Sequence, residues 1–221
     1  MKTISDLQPF LHHSLFTILK NEKFTELRPA QIKSVQAGLF EKKNILVCTP
    51  TGSGKTLVAE FAAMNTIYNK KGKAVYVVPL KSLATEKYNV FKQKYPDKRI
   101  ALSIGDTDSS DSYLESYDLI FTTSEKLDSL MRHNTPWLQQ IKVVIIDEIH
   151  LLNEPDRGPT LEVVITLLRH LLKDVQIIGL SATIGNPDEL AAWLNAELVQ
   201  DSWRPVELHH GTYFEGNVEF Y

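Results

Sequence analysis

Two short polar stretches of this sequence carry the residue types that phosphate chemistry requires. The first, residues 49–56, reads Thr-Pro-Thr-Gly-Ser-Gly-Lys-Thr; an apolar run at 44–48 precedes it and a helical pattern at 57–64 follows it. A strand, a glycine-containing turn and a helix form a cradle for phosphates, because backbone N–H groups and the helix N-terminus both point into the turn. We therefore expect phosphate contacts from Thr51, Gly52, Ser53, Gly54, Lys55 and Thr56.

Two residues of this loop have more specific expected roles. Lys55 would place a full positive charge near the outer phosphates of a nucleotide, and Thr56 would offer a hydroxyl to a magnesium ion. The usual pattern begins with glycine, whereas this loop begins with Thr49, so a strict match fails at its first residue. The alternative is an ordinary turn that happens to contain a lysine.

The second stretch is Asp147-Glu148-Ile149-His150, directly after the apolar run 143–146. Two carboxylates at the end of a buried strand are costly unless they have a function. Ligands of open parallel sheets gather at the carboxyl ends of the strands, which places Asp147 beside Thr56. Asp147 would then orient the magnesium ion, and Glu148 would accept a proton from the water that attacks the terminal phosphate. The alternative is a pair of acidic residues that simply starts a loop.

Three further residues could link this acidic pair to the rest of the molecule. His150 lies two residues beyond Glu148, and Ser181 and Thr183 follow the next apolar run at 176–180. Hydrogen bonds among them could report the state of the nucleotide. The alternative is an exposed histidine and a hydroxyl-containing turn.

Gln31 is a candidate for recognition of the base. Pro29 is well placed as the first residue of a helix that runs to about Phe40. Gln31 would lie in its first turn, at the surface, where a carboxamide that both donates and accepts could contact an adenine edge. The alternative is an ordinary polar residue at a helix start.

Composition narrows the class of protein. The chain has 221 residues, which indicates one domain or one domain with a small extension. Its net charge of −3 excludes a globally basic nucleic-acid binder, so any such contact must be a local face. The single cysteine, Cys48, allows no intrachain disulfide. No apolar run reaches the ~18 residues of a membrane-spanning helix and no signal peptide opens the chain, so we expect a cytoplasmic protein without membrane contact.

Short apolar runs alternate with helical patterns along the chain. This alternation predicts an α/β fold with a mostly parallel sheet that has helices on both faces. The predicted strands are 44–48, 74–78, 100–104, 119–121, 143–146 and 176–180. A first helix is predicted at 6–20, with His12 and His13 on its solvated side, and the residues beyond about 200 read as a linker.

These motifs together resemble the first RecA-like domain of a superfamily 2 helicase, in the superkiller-like DExH branch and near the archaeal HelQ-type DNA helicases. In such helicases the first loop position is often Ala or Thr. The matching segments are 28–31, 49–56, 78–84, 86–88, 105–106, 122–130, 147–152, 157–158, 180–183 and 203–205.

The resemblance implies a RecA-like P-loop NTPase domain at residues 1–200, with its N-terminal helix and glutamine motif at about 6–40. Residues 201–221 would lead to a second RecA-like domain that brings the arginine finger. ATP and Mg²⁺ are the implied cofactors. Gln31, with Phe24 and Arg28, would hold the adenine.

The resemblance also implies a partner: single-stranded or forked DNA, with 3′-to-5′ unwinding in replication-fork repair or recombination. Pro79, Lys81, Thr123 and Ser124 would contact the nucleic-acid backbone. Helix N-termini with hydroxyls and a lysine bind phosphates without reading bases, although the same hydroxyls are good helix caps. Two alternatives stay open: an RNA helicase of the same branch, or a nucleotide-dependent clamp without turnover. The fragment alone is expected to be poorly active, because half of the ATPase site is missing.

Overall fold

The computed structural model describes residues 1–22, 26–105, 111–133 and 135–220. The strands are β1 (Asn44–Cys48), β2 (Lys73–Val77), β3 (Ile100–Ser103), β4 (Leu119–Thr122), β5 (Ile141–Ile146), β6 (Gln176–Ser181), β7 (Ala196–Gln200), β8 (Gly211–Phe214) and β9 (Asn217–Phe220). The α-helices are α1 (His13–Asn21), α2 (Pro29–Gln36), α3 (Lys55–Tyr68), α4 (Lys81–Lys94), α5 (Ser124–Arg132), α6 (Gly158–Leu171) and α7 (Pro187–Leu194).

A seven-stranded parallel sheet in the order β3-β4-β2-β5-β6-β1-β7 forms the centre of the molecule. The strands predicted from apolar runs all lie in it, because runs rich in Val and Ile suit a position buried on both faces. The predicted α/β fold with a parallel sheet is therefore confirmed.

Each face of the sheet has its own hydrophobic core. In β1, Ile45 and Val47 point to the side covered by α1 to α4, whereas Leu46 and Cys48 point to the side covered by α5 to α7. This alternation follows from the two-residue period of a strand. The strand order places β5, β6 and β1 next to one another, so the segments that follow them meet at one edge.

The N-terminal prediction was partly wrong. Instead of one helix over 6–20, a 3₁₀ turn at Ile4–Leu7 is followed by α1, which begins at His13. Pro9 lacks the N–H that a continuous helix would need there. His12 caps α1, since its Nδ1 accepts a hydrogen bond from the Ser14 N–H at 3.2 Å, and its ring stacks on Tyr68 instead of facing only solvent.

Three other parts of the chain also differ from the predictions. Helix α2 ends at Gln36 rather than Phe40, because Gly38 has a φ of 103°, a conformation that ends helices. Strand β7, at the edge of the sheet, was missed because Glu197 and Gln200 leave it without a long apolar run. Residues 211–220 of the predicted linker form the hairpin β8–β9 around Glu215-Gly216, both with positive φ, as hairpin turns require.

Among the residues that the structure describes, none of the helices has the length and apolarity needed to cross a membrane.

Candidate nucleotide-binding site

The carboxyl ends of β1 and β5 frame a cavity of about 330 Å³. The predicted phosphate loop (residues 49–56) and the acidic pair (Asp147 and Glu148), separated by about ninety residues in the sequence, both line it. The lining residues are Arg28, Thr51, Gly52, Ser53, Gly54, Lys55, Thr56, Lys87, Asp147 and Glu148. The structure therefore brings the predicted phosphate-binding and magnesium-binding residues to one place.

Two glycines give the loop its shape. Gly52 and Gly54 have φ values of 82° and 90°, a left-handed backbone that other residues rarely adopt. A Cβ on Gly54 would also lie 2.3 Å from the side-chain nitrogen of Gln31. Helix α3 begins at Lys55, directly after this turn, so its N-terminus and the hydroxyl of Thr56 belong to the wall of the cavity.

Thr49, the departure from the usual first glycine, has a structural role inside the loop. It is completely buried, and its hydroxyl lies 2.7 Å from the hydroxyl of Ser53, which is also buried. The Ser53 N–H donates to the carbonyl of Pro50 at 3.2 Å. The contact between the two hydroxyls thus closes the loop on itself.

The ammonium of Lys55 is held by the loop. It donates to the carbonyls of Thr49 at 2.6 Å and Pro50 at 3.2 Å. Burial lowers the pKa of Lys55, and the nearby carboxylates of Glu148 and Asp147 act in the opposite direction. The lysine therefore faces neutral acceptors that a charged phosphate, a stronger partner, can replace.

Arg28 and Gln31 of the glutamine motif form hydrogen bonds with this loop. Gln31 is buried, contrary to the expected surface position: its amide nitrogen donates to the Gly54 carbonyl at 3.2 Å and its oxygen accepts from the Arg28 N–H at 2.8 Å. The guanidinium of Arg28 donates to the Gly52 carbonyl. These contacts fix the loop; contact of Gln31 and Arg28 with adenine stays a prediction, and Phe24 lies outside the described residues.

The segment after β7 packs on the outside of the loop, which the sequence did not indicate. The ring of Trp203 lies 5.5 Å from the Arg28 guanidinium, and Pro205 approaches Gly52. Asp201 holds this segment, since its carboxylate accepts from the Trp203 N–H at 2.7 Å and pairs with Lys33 at 2.8 Å. This segment therefore lies against the outer side of the loop.

Asp147 is the best-connected residue of the acidic pair. Its Oδ1 accepts from the Glu148 N–H at 3.1 Å, and its Oδ2 lies 3.3 Å from the Tyr76 hydroxyl and 3.2 Å from the Lys87 ammonium. Burial, followed by the charge of Asp147, raises the pKa of Tyr76 well above its ordinary value, so the hydroxyl stays a donor. Tyr76 and Lys87 were not predicted as site residues; Lys87 could only be found as part of the matching segment 86–88.

Glu148 and His150 form the exposed end of the site. Glu148 has a left-handed backbone with φ of 51°, which turns the chain out of β5. The Nδ1 of His150 lies 3.5 Å from the Glu148 carboxylate and 3.4 Å from the Ser181 hydroxyl. His150 thus lies within reach of both Glu148 and Ser181, whereas Thr183 is exposed beyond β6. The coupling role of His150, Ser181 and Thr183 stays a prediction.

The predicted nucleic-acid residues lie at the edge formed by β2 and β4, which pair with Val77 opposite Thr122. The Pro79 carbonyl accepts a long hydrogen bond of 3.5 Å from Arg157, and Lys81 begins α4 in an exposed position. Arg157 was not predicted as a site residue.

Thr123 and Ser124 begin α5 beside this edge. The Thr123 hydroxyl accepts a 3.4 Å bond from the Lys126 N–H, so the capping interpretation is confirmed. Both residues are buried, so any contact with nucleic acid would use backbone N–H groups of this helix start. That contact stays a prediction.

Comparison with known proteins agrees with this arrangement. The model of the family described as DEAD/DEAH box helicase matches residues 28–190, which include the phosphate loop, the acidic pair and Ser181. The chain belongs to the DEAD/DEAH box helicase family. The resemblance to a RecA-like helicase domain is therefore confirmed.

Relatives in this helicase family are considerably longer. The chain is 54% identical over 216 residues to "ATP-dependent DNA helicase Hel308" of Methanocaldococcus jannaschii, covering 93% of this chain and 18% of that protein. It is 48% identical over 202 residues to the protein of the same name from Pyrococcus horikoshii, covering 91% and 28%. This chain therefore spans less than a third of these relatives.

Solved helicase structures share the fold. The crystal structure of the helicase MrfA bound to DNA matches with a TM-score of 0.76 and 25% identity, over 87% of this chain and 30% of that one. The complex of MrfA with DNA and AMPPNP matches with the same TM-score and identity.

Proposed function

We propose that this chain is the ATP-binding motor domain of an ATP-dependent DNA helicase. The observation that carries the proposal is the shared cavity, where a phosphate loop faces an aspartate–glutamate pair. The relatives named as ATP-dependent DNA helicases support DNA as the substrate.

The residues of the cavity suit a magnesium nucleotide. The Thr56 hydroxyl and the Asp147 carboxylate both line it, and Mg²⁺ prefers such hard oxygen ligands. Bound magnesium would neutralise part of the phosphate charge. Lys55 and the N-terminus of α3 would hold the phosphates on the opposite wall.

Glu148 is the proposed proton acceptor for the attacking water. It lines the cavity and is more exposed than Asp147, so it has room for a water molecule. His150 contacts both Glu148 and Ser181, so a change at the carboxylate can be passed to the end of β6. Ser181, together with Thr183, would connect hydrolysis to movement along the strand.

The remaining assignments follow from position at the same sheet edge. Gln31, Arg28 and Phe24 would hold the adenine next to the phosphate loop. Pro79, Lys81, Thr123 and Ser124 would contact the phosphate backbone of single-stranded or forked DNA. A second RecA-like domain, reached through residues 201–221, would complete the ATPase site with an arginine, and the direction of unwinding would be 3′-to-5′.

The test is the change Glu148→Gln in a longer chain that includes a second RecA-like domain. We expect DNA-stimulated ATP hydrolysis to be lost while binding of a fluorescent ATP analogue is retained, because the amide cannot accept the proton. Glu162→Gln, at an exposed position on α6, is the matched control and should hydrolyse normally. Undiminished turnover in the Glu148→Gln variant would show that another group is the base.

The same assay separates the alternatives. Stimulation by single-stranded DNA supports the DNA helicase, stimulation by RNA alone indicates an RNA helicase, and nucleotide binding without turnover in the longer chain indicates a clamp. The 221-residue chain by itself should hydrolyse ATP poorly, and strong DNA-stimulated hydrolysis by it would contradict the expected division of the site between two domains.

A further inference from the structure

Lys87 forms an ion pair inside the cavity that the proposed mechanism does not use. Its ammonium lies 3.2 Å from Asp147 Oδ2 and 5.3 Å from the centre of the Tyr76 ring. The side chains of Lys87 and Asp147 are only 20% and 12% exposed, so solvent screens this pair less than a surface pair. Lys87 is thus a partner of the aspartate that would hold the metal.

Every oxygen of the Asp147 carboxylate already has a donor from the protein. Oδ1 accepts from the Glu148 N–H, and Oδ2 is shared by the Tyr76 hydroxyl and the Lys87 ammonium. A divalent cation on Oδ2 would lie close to the ammonium, and two positive charges at that distance repel each other. One of the two donors to Oδ2 must therefore yield.

Tyr76 cannot move away easily. It is fully buried in β2, and its ring stacks on Phe121 at 5.2 Å and meets Phe91 edge-on at 6.2 Å. Lys87 is on α4, its ammonium is carried by a flexible chain of four carbons, and it lines the same cavity as the phosphate loop. Lys87 is the donor that can leave, and the phosphates of a bound nucleotide would offer it acceptors in the same cavity.

We propose that Lys87 is a displaceable counter-ion of Asp147: the ammonium and a divalent cation are alternative partners of Oδ2, and the released ammonium turns to the nucleotide phosphates. Lys87 is then a positioning residue, since it holds the carboxylate in place before the metal binds. This inference rests on the proposed function, because it takes the cavity to be a magnesium–nucleotide site.

The test compares Lys87→Met with Lys92→Met in the 221-residue chain. Lys92 is the matched control: it lies on the same helix, donates to Tyr88 at 2.8 Å and stands over the Tyr88 ring at 5.1 Å, but it does not line the cavity. Binding of Mn²⁺ without nucleotide is measured by electron paramagnetic resonance, and binding of a fluorescent ATP analogue with Mg²⁺ by anisotropy.

We expect two effects of opposite sign in Lys87→Met. Mn²⁺ should bind about fivefold more tightly, because its competitor is gone, while the ATP analogue should bind several-fold more weakly, because a cation facing the phosphates is lost. Lys87→Arg should restore both affinities towards those of the original chain. A loss of structure could weaken both ligands but could not tighten one of them.

Two results would overturn the inference. One is unchanged or weaker Mn²⁺ binding in Lys87→Met. The other is equally tighter Mn²⁺ binding in Lys92→Met, which would show that the tightening comes from the lower net charge of the chain and not from the position of Lys87. Both leave the proposed function intact as long as the unmodified chain binds the magnesium nucleotide. Failure of the unmodified chain to bind it would instead contradict the proposed function itself.

Discussion

The hydroxyl pair that closes the phosphate loop gives a sharp prediction about Thr49. Thr49→Val keeps the shape of the side chain and removes the hydroxyl that lies 2.7 Å from that of Ser53. Both residues are buried, so the Ser53 hydroxyl would lose its partner without gaining water. Such a loss costs about 1–3 kcal/mol. For a chain of this size, a loss of about 2 kcal/mol lowers the thermal midpoint by roughly 4–8 °C.

A double-mutant cycle isolates the contribution of the pair. Thr49→Val combined with Ser53→Ala removes both hydroxyls and leaves no polar group unpaired, so we expect the double variant to be more stable than the sum of the single changes predicts, by about 1 kcal/mol or more. The free energy of unfolding is measured in urea by circular dichroism, without nucleotide, since a bound ligand would add its own stabilisation.

Thr17→Val is the matched control for this cycle. The Thr17 hydroxyl bonds the His13 carbonyl on the exposed face of α1, so its removal should change the free energy of unfolding by less than about 0.5 kcal/mol. Additive effects of Thr49→Val and Ser53→Ala, or a cost at Thr49 no larger than at Thr17, would refute the argument that this pair accommodates threonine at the first loop position.

Three further predictions concern buried ionisable groups. Lys94→Met leaves the buried Glu60 carboxylate without the cation that lies 2.6 Å away. This change should lower the free energy of unfolding, measured in urea, by about 3–5 kcal/mol. The double variant Lys94→Met with Glu60→Leu should recover most of the lost stability. Burial raises the pKa of Cys48 from 9.0 to about 11 and also covers its thiol, so at pH 8 iodoacetamide should label the folded chain at least ~100-fold more slowly than the urea-unfolded chain. Because the folded pKa is the higher one, the contribution of Cys48 to stability is complete below pH 9 and is lost as the pH rises towards 11, which pH-dependent unfolding of the chain and of Cys48→Ala would show. Equal labelling rates, or a double variant as unstable as Lys94→Met, would contradict these predictions.

The strands that were predicted correctly share one property: each contains a run of buried, mostly apolar residues. Strands β1 and β6 are Asn-Ile-Leu-Val-Cys and Gln-Ile-Ile-Gly-Leu-Ser, and burial on both faces selects such a run wherever the strand lies in the sheet. Strand β7 reads Ala-Glu-Leu-Val-Gln, since an edge strand needs fewer apolar residues. The hairpin of residues 211–220 was missed because its residues are exposed and its turn signal is the single pair Glu215-Gly216.

In the site, too, the features that depend on neighbouring residues could be predicted and those that depend on packing could not. Gly52 and Gly54 could be assigned to a tight turn from the sequence because their role is local. Gln31 could be placed at the start of α2 for the same reason, but its burial against Gly54 depends on how α2 packs beside the phosphate loop. The contacts of Lys87 and Tyr76 with Asp147 were beyond prediction, since they join three separate elements.

The sequence by itself determined the chemistry: a phosphate loop at 49–56, an acidic pair at 147–148 and the alternation of strands and helices, all of which are patterns over a few residues. The tertiary structure decided which of these groups meet. The order β5-β6-β1 brings Asp147 to the cavity that Thr56 lines and places Ser181 between them. Local propensities cannot specify that order, because it arises from packing helices on both faces of one sheet and from contacts between residues far apart in the chain.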